Sequence, residues 1–541
     1  MTVIAGGLVQ SVDWLAIAPP TVAALAGLAV LVADLFVPEA RKRLLGWGAV
    51  AGLALAALTL LPLLDGDRET FCLTNTGPQG AAGAASCSYA ADDFTLVIQL
   101  LVLGGALLAA LLALPAVREE HLPAGEFWFL LLSSAAGAAL LPASRDLVTL
   151  VIALEVASLP AFALVGLRRG DRLSSEAALK FFLSSVTATA VMLLGVSFVY
   201  AATGSLHLTV IAEQLPGTDA RLETLAATGV VLTLVGFAFK TAAAPFHFWV
   251  PDTYVGAPLP VAAYLSVVGK AVGFTGLILV TVVAFPSYDH LWGPALAVLA
   301  ALTMTVGNVA ALRQRPDRRH SAVRLLAWSS VGQAGYLLVP VAAAAWSSSP
   351  SEAIGATVAY ALMYAVVNLG AFAVAAHVRG LSAAHRVSDY RGLYAANPLA
   401  ALALGFFLLC LAGLPPGVIG LFAKVTVFRA AVDADLGWLA VVMAVNVVIA
   451  LYYYLRWTAL LFRPPPEPAA PAAAEPAPEP AAAAPGATAA RATAVRPPRS
   501  GALAAPVAAP VAAVIALTAV LGVALSGAPQ LVLRFASGTL L

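Results

Sequence analysis

The sequence predicts an all-α polytopic membrane protein, and three observations indicate this fold class. Of 541 residues, 61% are hydrophobic and only 11% are charged, whereas soluble domains carry about 25% charged residues. Apolar windows of about 20 residues, long enough to cross a bilayer as a helix, recur from end to end. A single soluble core stops growing near roughly 300 residues, so it could not enclose this much apolar surface.

The apolar windows predict fourteen transmembrane helices. They lie near residues 16–37, 44–64, 94–114, 126–142, 146–167, 174–201, 226–250, 260–284, 294–312, 321–341, 352–378, 398–430, 437–462 and 506–531. No basic region precedes the first window, so we expect no cleaved signal peptide.

Basic residues in the short loops predict the orientation. Counting the N-terminal segment as gap zero, the even gaps hold isolated arginines, Arg68, Arg145, Arg221 and Arg534. The odd gaps hold clusters, namely 41–43, 168–172, 313–319 and 379–391. This bias predicts that the odd gaps face the cytoplasm and that both termini lie outside.

Two segments depart from the helical pattern. Residues 463–505 are rich in Pro and Ala, and we expect an extended or disordered cytoplasmic linker there. The predicted external loop between the second and third spans holds Cys72 and Cys87, which leaves a disulfide open. Cys410 lies in an apolar span and reads as a small core residue. No metal, haem or phosphate-loop motif appears, so the sequence offers no cofactor site in this chain.

The distribution of lysine is the strongest functional signal. The chain has five lysines and twenty-four arginines, and only Lys42 lies in a loop. The others lie inside predicted helices, at Lys180, Lys240, Lys270 and Lys424. A guanidinium group stays charged, whereas a desolvated ammonium can release its proton. Lysine kept for helix interiors therefore indicates groups that gain and lose protons.

Each candidate has a structural alternative. Lys180 could extend its ammonium to the cytoplasmic interface, with Glu176 as a helical ion-pair partner. A charge at a helix centre costs about 2.5–3.5 kcal/mol on insertion scales, so a structural role is less favoured for Lys240 and Lys270. Glu155 is a mid-helix carboxylate, either an interhelical hydrogen-bonding group or the partner of a lysine on a neighbouring helix.

Prolines interrupt two spans that lie five helices apart. One interruption is at Pro245, five residues after Lys240, and the other is at Pro415 and Pro416, before Lys424. Broken helices in corresponding positions indicate a transport pathway built from repeats. The spacing predicts two inverted five-helix repeats with helices 7 and 12 broken. The predicted domains are 1–125 (helices 1–3), 126–284 and 285–462 (the repeats), 463–505 (the linker) and 506–541 (the final helix).

The segment "FAFKTAAAPFHFWVPDTYVGAPLPVAAYLSVVGKAVGF" resembles the signature of the antiporter-like membrane subunits of respiratory complex I, the NADH–quinone oxidoreductase of bacteria. The segments "LEVASLPAFALVG", "SSEAALKFFLSS" and "LLAWSSVGQAGYLLV" are more similar to subunit N than to its sister subunits. The similarity runs from about residue 145 to residue 462 and excludes the linker.

The resemblance implies roles for the buried charges. Glu155 and Lys240 would form a modulating pair at the broken seventh helix, Lys180 would support Glu155, and Lys270 would be the central relay. Lys424 would exchange protons on the far side. At 4 Å and an effective dielectric constant near 20, a carboxylate–ammonium pair is worth about 4 kcal/mol, enough to hold or release a proton.

The chain departs from the family at Gln333, where many members carry histidine. Glutamine can hold water but cannot titrate, so the link from Lys270 to Lys424 would rely on water, Tyr336 or Tyr364. His247 is a titratable alternative to an all-lysine route, or an interfacial structural residue.

The resemblance further implies a proton-translocating subunit of the bacterial cell membrane, with NADH, FMN, iron–sulfur clusters and quinone bound by partner subunits. The expected partners are the other membrane subunits, including the sister antiporter-like subunits, and the lipid bilayer; no nucleic acid is expected. Two other hypotheses stay open, a subunit of a cation/proton antiporter and a scaffold protein with structural lysines.

Overall fold

A computed structural model describes residues 12–73, 86–464, 502–536 and 540 of the chain. The Pro/Ala-rich linker predicted at 463–505 falls largely outside these described residues, so its extended character stays a prediction. Within the described residues the protein is a bundle of long apolar helices, as the sequence predicts.

Fourteen apolar helices, here α1 to α14, match the predicted spans. Twelve of those in the described residues are long and apolar enough to cross a membrane, and α1 and the first half of α12 are shorter. Their bounds are α1 Ala18–Asp34, α2 Arg43–Leu58, α3 Asp93–Glu119, α4 Ala124–Leu140, α5 Leu147–Val165, α6 Arg172–Thr203, α7a Glu223–Thr241, α7b Trp249–Gly256, α8 Leu259–Ala284, α9 Asp289–Leu312, α10 Ser321–Ala343, α11 Pro350–Leu381, α12a Pro398–Ala412, α12b Val418–Asp433, α13 Gly437–Leu461 and α14 Ala509–Gly527.

The broken helices predicted at positions 7 and 12 are confirmed. The chain leaves helical geometry between Thr241 and Trp249, and again between Ala412 and Val418. Each break contains a cis peptide bond before a proline, at Pro245 and at Pro416. The inverted relation between the two five-helix sets, and the domain boundaries drawn from it, stay predictions.

Side-chain caps define where several helices begin. Asp92 accepts a hydrogen bond from the Thr95 backbone N–H at 2.9 Å, and Asp146 accepts one from Thr149 at 2.8 Å. Each aspartate satisfies one of the backbone donors that a helix start leaves unpaired, which is the usual role of an N-cap. The chain therefore enters α3 and α5 at fixed points.

Small residues allow the helices to approach closely. A Cβ built on Gly195 of α6 would lie 2.5 Å from the Thr233 nitrogen of α7a, and one on Gly273 would lie 2.5 Å from the Thr241 nitrogen. Such contacts are typical of membrane bundles, where backbone packing replaces the hydrophobic driving force. Helices α8, α10 and α11 are buried along most of their length and form the centre of the bundle.

A β-hairpin that the all-α prediction lacks follows α2. Strands β1 Arg68–Leu73 and β2 Ser86–Ala91 pair antiparallel, with Cys72 opposite Cys87. These two cysteines form a disulfide bond, which resolves the alternative that the sequence left open. The hairpin also pairs with the turn before α5, because Tyr89 and Ser144 form an isolated bridge.

The arginine-rich end of the bundle contains a compact charged cluster. Arg168, after α5, donates two hydrogen bonds to Glu120, at 2.6 and 3.0 Å. His320, in the turn before α10, lies among arginines and has no hydrogen-bond partner for either ring nitrogen among the described residues. Burial, with the positive charges of Arg379 and Arg319, lowers the pKa of His320 from 6.5 to about 4. Its imidazole is therefore neutral near pH 7.

Candidate functional site

The break in α7 leaves backbone N–H and C=O groups without their helical partners. Hydrogen bonds to other parts of the bundle pair these groups instead. Ala242 adopts a left-handed conformation with φ of 64°, and the Ala243 N–H closes the end of α7a on the Ala238 carbonyl at 2.9 Å. The Ala244 N–H donates to the Thr303 hydroxyl oxygen of α9 at 2.8 Å. The Trp249 indole N–H donates to the Phe239 carbonyl at 3.2 Å. An unpaired backbone group in the bilayer would cost several kcal/mol, so these contacts maintain the break.

Lys240, in the last turn of α7a, points into an aromatic enclosure. The residue is 6% exposed, and its Nζ lies 5.1 Å from the centroid of the Phe162 ring and 5.5 Å from that of Phe181. The Phe239 ring lies 6.0 Å away. The negative faces of aromatic rings attract a cation at these distances. No hydrogen bond or ion pair joins the ammonium group of Lys240 to any other residue that the structure describes.

The structure does not place Glu155 and Lys240 in direct contact. Glu155 is half-buried on α5, and its Oε1 accepts a hydrogen bond from the Thr189 hydroxyl of α6 at 2.7 Å. Glu155 is nonetheless the carboxylate that interacts electrostatically with Lys240. The two groups are therefore coupled through space, without the close ion pair that we expected.

Lys180 does not contact Glu155 either. Its ammonium binds Glu176 at 2.7 Å, the helical pair that the sequence predicts, and Asp252 of α7b at 2.9 Å. The side chain is 48% exposed. Thr189, the residue that binds Glu155, is nine residues further along α6, about 13 Å along the helix axis. Lys180 thus ties α6 to α7b at the arginine-rich end.

A small cavity separates Lys240 from the next lysine. It has a volume of about 20 Å³ and is lined by Lys240, Ser134, Tyr264 and Gly269. The Ser134 and Tyr264 hydroxyl groups lie 2.9 Å apart. A volume above roughly 10–15 Å³ can hold one water when polar groups surround it. The cavity extends from Lys240 to Gly269, the residue before Lys270, and most of its lining is apolar apart from the Ser134, Ser158 and Tyr264 hydroxyl groups.

Lys270 lies at the centre of the bundle and is 2% exposed. It follows a π-helical stretch, Leu265–Gly269, that widens α8 by one residue per turn. Its ammonium donates a hydrogen bond to the Ser330 carbonyl of α10. The Ser330 hydroxyl lies 2.9 Å from the Tyr364 hydroxyl of α11, so the polar path continues to a third helix.

Gln333 joins the next part of the path. The Tyr360 hydroxyl donates to its Oε1, and its Nε2 lies 3.4 Å from the Tyr454 hydroxyl of α13. A second cavity of about 20 Å³ is lined by Gln333, Tyr360, Tyr364 and Lys424. The glutamine is therefore held by tyrosines at a space large enough for one water.

Lys424, on α12b, caps the end of α12a. Its ammonium donates to the carbonyls of Leu411 at 3.0 Å and Ala412 at 2.7 Å. These carbonyls are left without partners where the helix stops, and a cation is favoured at a helix C-terminus. The Tyr336 ring lies 5.8 Å from Nζ, but its hydroxyl points to the Met443 carbonyl at 3.4 Å. Tyr364 therefore both bonds to Ser330 and lines the second cavity, whereas Tyr336 is not among the residues that line this cavity.

His247 lies in the break between α7a and α7b. Its ring is 5.6 Å from that of Trp328, and its Nδ1 has no hydrogen-bond partner among the described residues. No hydrogen bond of the described residues links it to the lysines.

Sequence reasoning missed three parts of this site. It overlooked the phenyl rings of Phe162 and Phe181, although Phe162 is two helical turns after Glu155 and so shares its face. It also overlooked Tyr360, which precedes Tyr364 by one turn and so lies on the same face of α11. Ser330 acts through its backbone carbonyl as well as its hydroxyl, and no sequence pattern marks a carbonyl.

A membrane-spanning bundle whose broken helices lie beside buried ammonium groups is the architecture of an ion-translocating membrane protein. The family model for the transmembrane region of NADH:quinone oxidoreductase and Mrp antiporters matches residues 144–450. The chain belongs to the family of antiporter-like membrane subunits of NADH–quinone oxidoreductase, in its subunit N branch.

Relatives and solved structures support this membership. The chain is 72% identical to NADH-quinone oxidoreductase subunit N 2 of Streptomyces griseus, over 99% of this chain and 95% of that protein. It is 44% identical to subunit N of Salinispora tropica, over 84% and 86%. The fold matches a chain of respiratory complex I from Thermus thermophilus with a TM-score of 0.70 and 32% identity, over 96% of this chain and 100% of that chain. A chain of the Mrp complex from Dietzia sp. has a TM-score of 0.74 at 22% identity, over 97% and 96%, and shares the fold.

Proposed function

We propose that this chain translocates protons across the bacterial cell membrane as a subunit of NADH–quinone oxidoreductase, and that its buried lysines carry them. The observation that carries the proposal is the set of three buried ammonium groups at the centre of the bundle, Lys240, Lys270 and Lys424. Lys240 and Lys424 each line a cavity large enough for one water, and Lys270 binds the backbone carbonyl of Ser330, whose hydroxyl group bonds to Tyr364.

In this proposal Lys240 holds a proton against the phenyl rings of Phe162 and Phe181, and the charge of Glu155 modulates how firmly. The proton passes through the cavity at Ser134 and Tyr264 to Lys270. Tyr364 then transfers it towards Lys424, because its hydroxyl both borders Ser330 and lines the second cavity. Lys180 sets the position of α7b through Asp252 and does not carry the proton.

We assign the redox chemistry to other subunits. NADH, FMN, iron–sulfur clusters and quinone would be bound there, and this chain would receive the coupling through contact with its membrane partners. We also place the arginine-rich end in the cytoplasm and both chain ends outside, as the arginine asymmetry indicates. A cation/proton antiporter subunit is the second candidate, supported by the shared fold with the Mrp chain and by a family model that covers both classes. The 72% identity to a subunit N favours the oxidoreductase.

The substitution Lys240→Arg tests whether the proton must be removable. Arginine keeps the charge but stays protonated, so we expect proton uptake per quinone reduced to fall at least about tenfold. The measurement is proton uptake alongside quinone reduction in membrane vesicles, with assembly of the complex checked on native gels. Full pumping by an assembled variant would refute the titrating-lysine proposal.

Lys42→Arg is the matched control. Lys42 lies in a loop and binds the carboxylates of Asp34 and Glu39, at 3.3 and 3.1 Å. Arginine can make the same contacts, so we expect normal pumping.

Purification of the complex followed by mass spectrometry separates the two candidate functions, since flavin and iron–sulfur partners fit only the oxidoreductase.

A further inference from the structure

A cavity of about 630 Å³ opens at the arginine-rich end, away from the lysine path. It lies between the ends of α2, α3 and α4, beside Ala508 and Pro510 at the start of α14. The proposed function uses none of its residues. Its size and position at the helix ends place it where lipid headgroups contact a membrane protein.

The lining of this cavity is basic. Lys42, Arg43 and Arg118 contribute three positive charges, and Glu39 is the one carboxylate among the lining residues. Glu39 and Asp34 both bind Lys42 and raise its pKa, so this ammonium stays charged. The guanidinium groups of Arg43 and Arg118 form no ion pair or hydrogen bond within the described parts of the chain. Two guanidinium groups therefore have unused donors at the same cavity.

The rest of the lining is apolar and aromatic. Leu114 and Leu122 line its sides, and the indole rings of Trp47 and Trp128 lie beside them. Trp47 is 52% exposed, in the position at the membrane–water boundary that tryptophan favours. A ligand with both an anionic group and hydrocarbon chains would match both parts of the surface.

We propose that this cavity binds the headgroup of an anionic phospholipid. Arg43 and Arg118 would contact the phosphate, because guanidinium groups bind phosphate oxygens in pairs. Trp47 and Leu114 would contact the first carbons of the acyl chains. Basic cavities between transmembrane helices bind such headgroups. Free phosphate would satisfy the arginines but would leave the apolar lining unused, which is why the lipid is the assigned ligand.

Binding of fluorescent phosphatidylglycerol to the delipidated intact complex tests the proposal, with fluorescent phosphatidylcholine as the comparison lipid. We expect a saturable site selective for phosphatidylglycerol. Arg43→Gln and Arg118→Gln should each weaken binding about fivefold, from roughly 1 kcal/mol per basic residue. Arg43→Lys and Arg118→Lys keep the charge but lose the paired contacts, so each should weaken binding less than its glutamine counterpart, which separates loss of charge from loss of fold.

Arg41→Gln is the matched control, because Arg41 lies in the same loop but does not line the cavity. It should bind phosphatidylglycerol as the unaltered complex does, and quinone reduction should be unchanged in every variant. Equal binding of the two lipids would overturn the proposal. Unaltered binding by a variant that combines Arg43→Gln with Arg118→Gln would also overturn it. Full displacement of the lipid by equimolar inorganic phosphate would also overturn it, since the site would then recognise a free anion.

Discussion

At Lys240 the charge is stabilised by phenyl rings, and this environment determines how strongly the ammonium group holds its proton. An ion pair with Glu155 would hold the proton with about 4 kcal/mol at 4 Å, whereas an exposed cation–π contact is worth roughly 0.5–1 kcal/mol and a desolvated one about 2. The ring contacts therefore accommodate the ammonium without binding its proton strongly. Glu155 can adjust the balance from a distance.

Removing one hydroxyl group at Tyr364 tests the central relay. Tyr364→Phe keeps the ring but deletes the oxygen that lies 2.9 Å from the Ser330 hydroxyl. We expect proton uptake per quinone reduced to fall at least about tenfold, since no other hydroxyl joins Ser330 to the second cavity among the described residues. Tyr394→Phe, at a residue that is 45% exposed, should have no effect. Equal pumping by the two variants would exclude Tyr364 from the path.

His320 predicts an acid-sensitive contribution to stability. Its pKa is near 4 in the folded protein and 6.5 without the protein environment, so the unfolded chain binds the additional proton between these values. The contribution is complete above about pH 6.5 and is lost as the pH falls towards 4. His320→Asn should flatten this dependence, because asparagine does not titrate and tolerates the left-handed φ of 60°. Thermal unfolding of the purified complex from pH 7 to pH 4 is the measurement.

The control for His320 is His290→Asn, at a histidine whose side chain is 71% exposed. It should reproduce the pH dependence of the unaltered protein. An unchanged slope in the His320 variant would show that another group titrates in this range.

Single residues were predictable where one side chain carries an unusual property. Lysines inside apolar spans stood out from composition alone, and four such lysines were identified. The partner within the same helix, Glu176 for Lys180, was predictable from spacing. Partners on other helices were not, because Lys180 faces Asp252 and Glu155 faces Thr189 only through the way α5, α6 and α7b pack. Helical periodicity gives the face of a residue but not its neighbour across an interface.

Among the helices, both breaks were predictable from proline, because proline removes a donor and clashes with the preceding turn. The contacts that keep α7 broken were not predictable, since they come from a different helix and from the far side of the break. Thr303 of α9 and Trp249 of α7b supply the donors and acceptors, and their positions depend on the whole bundle.

Thr303→Val tests how the break in α7 is maintained. Valine has the same shape but cannot accept from the Ala244 N–H, which then stays buried without a partner. The expected loss is about 1–3 kcal/mol of unfolding free energy. It should appear as a lower unfolding temperature and faster cleavage near the break by an added protease.

Thr228→Val is the control for this substitution. Thr228 is exposed, and among the described residues its hydroxyl bonds only to the Thr224 carbonyl of its own helix, at 2.7 Å. We expect almost no change in stability. If the two variants unfolded alike, the Thr303 contact would not hold the break.

For the whole molecule, the β-hairpin and its disulfide provide a chemical marker of orientation. Disulfides persist in oxidising compartments, and the Cys72–Cys87 bond lies at the end opposite the arginine clusters in our orientation. Cys72→Ser should leave a single thiol at Cys87 that a membrane-impermeant maleimide labels from outside intact cells. The unaltered protein should label only after reduction.

Cys410 serves as the internal control for labelling, because it is buried in α12a and should stay unmodified in both proteins. Labelling of Cys87 only in inverted vesicles would reverse the proposed orientation.

The overall bundle was predictable because apolar length and loop charge act on every span alike. The hairpin was not, since twelve residues separate its strands and a connection of that length does not fix their register.

Lys424 has three N–H bonds as an ammonium and two as a neutral amine. Two of them already serve the Leu411 and Ala412 carbonyls at the end of α12a. The group can therefore hand over its third proton and still meet both backbone acceptors, so unloading leaves no carbonyl unpaired. Glutamate has no donors for these carbonyls, and arginine would have donors but no proton to spare. Lysine can therefore pair both carbonyls at the end of α12a whether it is protonated or neutral, which is what the proposed proton transfer requires of this position.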